Sequence, residues 1–226
     1  MFPFPFSFVA PTASGLGTVD NVYSMEFDGV DDYIVTGLDL AYTVVPNISL
    51  SCWVKIDKSG LTNYASYYPV CVYSNSYPTG SPIRIYSGNA SGGAATVVSI
   101  ADQSGTTQST TDLGDNQWHH IVETCEYDAG GTICNVYIDG TKEITNSLLR
   151  DYAPLTGNLV IGGRGTTTAT TMFYKGFLDE VAAFDYILTQ DQVDEIYNAT
   201  SAGPPAKTAD LSTMATPPVA WYRMGD

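Results

Sequence analysis

Apolar and polar positions alternate with a period of two in short runs along most of the chain, separated by turn residues. The runs are YSMEF (23–27), DYIVTGL (32–38), ISLSCWVKI (48–56), YPVCVYS (68–74), PIRIYS (82–87), ATVVSIA (95–101), WHHIVETCEY (118–127), TICNVYIDG (132–140), NLVIGG (158–163) and GFLDEVAAFDY (176–186). Successive side chains of a strand point to opposite faces, so this period marks strands that bury one face. Their wealth of β-branched and aromatic residues fits the same reading. No strand–helix alternation appears, which argues against a parallel α/β sheet and predicts antiparallel sheets packed face to face. Asp28-Gly29, residues 128–132 and Asp139-Gly140 supply the turns. One helix is expected: Thr189 as N-cap and Gln192 three residues on form a capping box, and Val193, Ile196 and Tyr197 then share a face for about two turns, to Asn198.

Three segments follow from this pattern. Residues 1–22 form an N-terminal arm, 23–200 the β domain, and 201–226 a Pro/Thr-rich linker or a tail that docks by Trp221 and Tyr222. In the arm, Phe2, Phe4, Phe6 and Phe8 recur at period two, so an extended chain shows all four rings on one side while its prolines bar a central sheet position. Such an arm docks in a groove, either on its own domain or on a neighbouring subunit. The second option makes residues 1–10 an assembly element of a homo-oligomer or a capsid-bound array.

Composition narrows the partners. Nine Lys plus Arg against 24 Asp plus Glu give a formal charge of −15, which repels a phosphate backbone and excludes nucleic acid as a natural ligand. No apolar run reaches the ~18 residues of a spanning helix, so no membrane insertion is expected. MFPFPFSFVA lacks the basic start and unbroken apolar middle of a secretory signal. Sixteen tyrosines supply side chains with an apolar body and a polar tip, suited to surfaces that touch sugars or proteins. The four cysteines form no C-x-x-C pair, which weakens a zinc reading. With Ala129-Gly130 as a two-residue loop, Cys125 and Cys134 fall opposite each other at a non-hydrogen-bonded pair, open to a disulfide or to two buried thiols.

FDGVDDYI, ISLSCWVK, DNQWHHIVETCEYDAGGTICNVYIDG, LVIGG and GFLDEVAAFDYILTQDQVDEIYNA, in this order, resemble the laminin G-like jelly rolls of the concanavalin A-like lectin/glucanase superfamily. The resemblance spans roughly residues 23 to 200 and implies an all-β, two-sheet antiparallel jelly-roll sandwich with one short C-terminal helix. It also implies a structural calcium tying the first strand region to the last long strand, held here by Asp28, the carbonyl of Gly29, and Asp179. A plain alternative has Asp28-Gly29 turning the chain and Asp179 accepting backbone hydrogen bonds.

Members of the superfamily are lectins, adhesion modules and glycosidases, so the fold alone does not choose. The laminarinase-like branch uses E-x-D-x-E on one strand face; here Glu26-x-Asp28 runs into Val30. His119 and His120 adjoin and so point to opposite faces of a strand, which disfavours a shared metal and leaves W-H-H a structural role. Candidate sugar-binding residues are Tyr67, Tyr68, Tyr77, Arg84 and Asn89, in a tyrosine-rich stretch that can equally pack the sheets. The expected function is therefore non-catalytic: a virion or cell-surface structural and recognition protein, such as a decoration or fibre component, binding glycans or neighbouring subunits. The tail PPVAWYRMGD resembles connections between jelly-roll units of virion proteins. The alternative is a glycoside hydrolase or lyase with an atypical residue set.

Overall fold

A computed structural model describes residues 15–40, 45–56, 65–72, 82–87, 96–102, 105–128, 131–148, 158–165, 170–199 and 207–225. Its strands are β1 (Thr18–Asp20), β2 (Met25–Asp28), β3 (Ile34–Asp39), β4 (Asn47–Ile56), β5 (Ala65–Val72), β6 (Pro82–Ser87), β7 (Thr96–Asp102), β8 (Gly105–Gln108) and β9 (Trp118–Asp128). They continue with β10 (Gly131–Ile138), β11 (Thr141–Leu148), β12 (Asn158–Ile161), β13 (Arg164–Gly165), β14 (Thr170–Thr171) and β15 (Lys175–Phe184). Helix α1 (Gln190–Ala199), β16 (Lys207–Ala209) and β17 (Ala220–Tyr222) complete the chain.

All pairings are antiparallel, and two sheets carry the fold. One runs β11-β10-β9-β4-β15, with β17 and β2 both on the far edge of β15; the other runs β3-β12-β5-β6-β7-β8. This is the face-to-face antiparallel sandwich that the period-two pattern predicts, in keeping with the jelly roll that the resemblance implies. Between the sheets lie alternate residues of the long strands, among them Ile48, Leu50, Cys52, Val54 and Ile56 of β4, met by Ile83, Ile85, Val98, Ile100 and Leu159. Each such aliphatic side chain contributes roughly 1.5–3 kcal/mol by leaving water.

The other face of the seven-stranded sheet is covered too. Val122, Tyr137, Ala182 and Phe184 form a second apolar cluster with Val193 and Ile196 of α1 and with Ala209, Leu211 and Met214 of the C-terminal segment. The capping box forms as expected: the Thr189 amide donates to Gln192 Oε1 at 3.0 Å and the Gln192 amide donates to Thr189 Oγ1 at 3.3 Å. Residues 207–225 therefore belong to the packed body. Trp221 and Tyr222 lie on β17, paired with Ala182 and Val181.

A bulge in β15 organises this covering layer. Asp179 faces Trp53 of β4 while Ala182 faces Ser51, so β15 spends three residues where β4 spends two. Glu180 takes a positive φ of 49° there. The extra residue shifts the parity of the strand: Leu178 and Val181 both enter the inner core, and the two acids between them, Asp179 and Glu180, are buried. Buried carboxylates require partners, and the two chain ends supply them. Asn21 Nδ2 donates to Asp179 Oδ2 at 2.9 Å and to Glu180 Oε1 at 3.1 Å. Thr208 Oγ1 donates to Glu180 Oε1 at 3.0 Å, Trp221 Nε1 donates to Oε2, and Arg223 Nε approaches Oε1 at 3.4 Å. Burial pushes the Glu180 carboxyl above its ordinary range, opposed by Thr208, Trp221 and Arg223.

The hairpin of β9 and β10 aligns Cys134 with Cys125, and the two are joined in a disulfide with Cα atoms 4.4 Å apart. Of the alternatives open in the sequence, the crosslink is the one present. Cys52 is free and buried; burial, with Glu123 second, pushes its thiol up.

The clasp around Glu180 predicts that Trp221→Ala lowers unfolding free energy by about 3 kcal/mol, through lost aromatic burial and a stranded carboxylate oxygen. Urea denaturation should show the loss, whereas Trp221→Ala with unchanged stability would refute this role.

Candidate functional site

The turn after β2 gathers oxygen atoms at the surface. Asp28 Oδ1 accepts from the Val30 amide at 2.7 Å, and Asp32 Oδ2 accepts from the Asp28 amide at 3.0 Å. These bonds fold the DGVDD stretch into a tight corner, in which Gly29 has φ +80° and a Cβ would sit 2.9 Å from the Lys175 Cβ. The carboxylates of Asp28, Asp31 and Asp32 then offer oxygens within 4.8 Å of one another, all exposed.

Apolar side chains flank this corner. Val30 is 67% exposed, Tyr33 39% and Met172 40%, values high enough to leave their surfaces accessible to a partner. The Tyr33 and Phe173 rings meet with centroids 6.1 Å apart. The corner packs against the turn after β12: a Cβ on Gly162 would meet Phe27 at 2.2 Å and the Asp32 carbonyl at 3.2 Å. On that side Arg164 lies 5.8 Å over the Tyr68 ring, with Nη1 3.9 Å from the Met172 sulfur. The result is an aromatic patch beside a carboxylate cluster.

The structure separates the residues expected to hold calcium together. Asp28 pairs with Lys175 of β15, not Asp179. Asp179 lies four residues farther along that strand, roughly 13 Å away at strand rise. Its Oδ1 accepts from the Glu180 amide at 2.8 Å, and Oδ2 is taken by Asn21. Asp31 and Asp32 are the neighbours of Asp28 instead. Of the expected sugar-binding residues, Tyr67 on β5 is half-buried and Tyr68 is 4% exposed, too little for a stacking platform. Arg84 lies on β6. Tyr77 and Asn89 lie outside the described residues.

The W-H-H stretch opens β9 and is built into the sheet. His120 bonds Ser51 Oγ through Nε2 at 2.8 Å and stacks on Trp53 with centroids 5.1 Å apart; Tyr197 of α1 joins them, 5.9 Å from Trp53. Burial pushes His120 down to about 4, so it is neutral at pH 7. His119 instead sits between two carboxylates, Nδ1 at 2.7 Å from Asp139 and Nε2 at 3.1 Å from Asp115. The Asp139 bond raises its pKa against burial, and Asp115 adds to the rise. Asp115 is correspondingly lowered, through hydrogen bonds from the Gln117 amide and His119 that outweigh its desolvation.

Comparison with known proteins agrees with this architecture. The family model of the concanavalin A-like lectin/glucanases superfamily matches residues 28–194, and the chain belongs to that family, in its laminin G-like form. No curated protein sequence matches the chain. Among solved structures, a heptameric SAP-like pentraxin from Limulus polyphemus is 16% identical with a TM-score of 0.56, over 83% of this chain and 91% of its own. A protein from Bacteroides ovatus described as carbohydrate binding is 13% identical, TM-score 0.55, over 94% of this chain and 53% of its own. Trypanosoma rangeli sialidase bound to sialic acid is 14% identical, TM-score 0.55, over 77% of this chain but 27% of its own. These likenesses concern the fold.

Sequence reasoning placed the acidic corner but missed its aromatic flank, because Met172 and Phe173 join it from about 140 residues downstream. Val30 and Tyr33, standing inside the acidic stretch itself, were the available signal.

The His119 latch has a defined pH signature. The raised pKa of His119 means its contribution is complete below the unfolded value of about 6.5 and is lost as pH rises through the folded value. The lowered pKa of Asp115 gives stability present above about 3.9 and lost as pH falls through its folded value. Thermal melts of wild type and His119→Gln across pH 4–9 should therefore differ most near pH 4–6 and converge at alkaline pH. Parallel curves across the range would contradict the latch.

Proposed function

We propose that this protein is a non-catalytic recognition module that binds glycans at the corner formed by Tyr33, Phe173, Asp31 and Asp32. One observation carries the reading: the exposed Tyr33 ring, backed by a half-buried Phe173, lies beside unburied carboxylates. A pyranose ring presents C–H faces that stack on aromatic rings, and hydroxyls that donate to carboxylate oxygens. The lectin-like fold and the carbohydrate-binding description of the Bacteroides protein support the same ligand class. Carboxylate positions weigh against hydrolysis. The close set Asp28, Asp31 and Asp32 is exposed on a turn, and the pair Asp179 and Glu180 is buried and hydrogen-bonded. A two-carboxylate glycosidase needs its pair flanking a bound sugar in a cleft.

We further propose display on a virion or other extracellular surface, as a decoration or fibre component. The strong acidity, which keeps crowded copies soluble, and the aromatic arm at residues 1–10 support this placement. A glycan array should show selective binding that Tyr33→Ala weakens at least about tenfold, equivalent to ~1.4 kcal/mol. A flat array, or turnover of a bound polysaccharide, would overturn the reading. Deleting residues 1–10 should reduce the size of the particle in solution while leaving the melting temperature unchanged.

Calcium is part of the proposal at the same corner. The donor set fits a hard cation, which takes six to eight oxygens, only with water completing the three carboxylates. Asp28, Asp31 and Asp32 would hold it. Millimolar calcium should raise the melting temperature and EDTA reverse the rise. In Asp31→Asn/Asp32→Asn neither addition should act; a wild-type melt indifferent to both would remove calcium from the account.

A further inference from the structure

A small cavity of about 10 Å³ lies between the outer face of the seven-stranded sheet and the layer made by α1 and the C-terminal segment. Its polar wall is Ser51, His120, Glu180 and Thr208, with Trp53 and Leu211 among its apolar neighbours. His120 is 1% exposed, and its Nδ1 has no hydrogen-bond partner although Nε2 is satisfied by Ser51. An unpaired ring nitrogen in the interior is costly, because it has given up water without gaining a partner. The space matches one water, which requires a polar wall with two to four partners, and an apolar void of this size would stay dry.

We propose that this cavity binds a single water molecule that joins His120 Nδ1 to the Glu180 carboxylate. The donors and acceptors order themselves in one direction. Ser51 Oγ–H donates to Nε2, which leaves the proton on Nδ1; Nδ1–H donates to the water; the water donates to a Glu180 oxygen. The water's second proton has Thr208 Oγ1 and the Glu180 oxygens of the same wall as acceptors, and the imidazole is neutral with its hydrogen on Nδ1. The reversed order, with Nε2–H donating to Ser51 Oγ, would leave the buried Ser51 hydroxyl proton without an acceptor among the described residues. The water thus ties the Trp53–His120–Tyr197 ring stack to the clasp that holds both chain ends at Glu180. The inference is independent of the glycan reading, because the cavity lies under α1 rather than at the aromatic corner.

Two measurements on the wild-type chain test it, so no variant has to fold. A high-resolution crystal structure should show one isolated density peak roughly 2.7–3.2 Å from His120 Nδ1 and from a Glu180 oxygen. An empty cavity overturns the proposal, as does a peak that appears only in crystals grown with ammonium, which would make the occupant a cation. Long-range ¹H–¹⁵N correlation of the imidazole should show the hydrogen on Nδ1 of His120. The opposite tautomer overturns the assigned chain of donors.

Discussion

A carboxylate buried in a sheet must be met by donors, and Glu180 imposes that demand on the whole outer half of this molecule. The bulge that inverts the parity of β15 buries Asp179 and Glu180 in the layer under α1, out of reach of bulk water. Four donors from three distant parts of the chain, Asn21, Thr208, Trp221 and Arg223, converge on one side chain. Because those donors sit on or beside β1, β16 and β17, the segments at both ends of the described chain gain fixed positions from a single acid. The inner core, by contrast, is spread over alternate residues of many strands and draws on many side chains rather than one.

Legibility in the sequence followed the range of the interactions. The strands were readable because period two is local, and α1 was readable because Thr189 and Gln192 cap each other within three residues. The opposed cysteines of the β9–β10 hairpin followed from turn arithmetic. The bulge was harder: its trace is two apolar residues, Leu178 and Val181, spaced by three inside a strand of period two. The C-terminal strands β16 and β17 escaped notice because their partners lie elsewhere in the chain, and a Pro/Thr-rich composition describes a strap as well as a linker.

The site shows the same division. Asp28, Asp31 and Asp32 meet because they are neighbours in a turn, while Asp179 was assigned by resemblance and is drawn away by Asn21 and the Glu180 amide. Tyr68 and Tyr33 are the same residue type, yet one lies under Arg164 and the other faces solvent. Composition reports that tyrosines are plentiful; only packing selects which ring is left to touch a ligand. Evolution of binding on this scaffold therefore concerns the turns that join the sheets more than the strands themselves.

The Cys125–Cys134 crosslink joins two strands that hydrogen bonds already hold side by side, across a separation of nine residues. Tying off so short a stretch removes little freedom from the unfolded chain compared with a bridge between distant segments. The bond therefore fastens a seam that the strand ladder already closes.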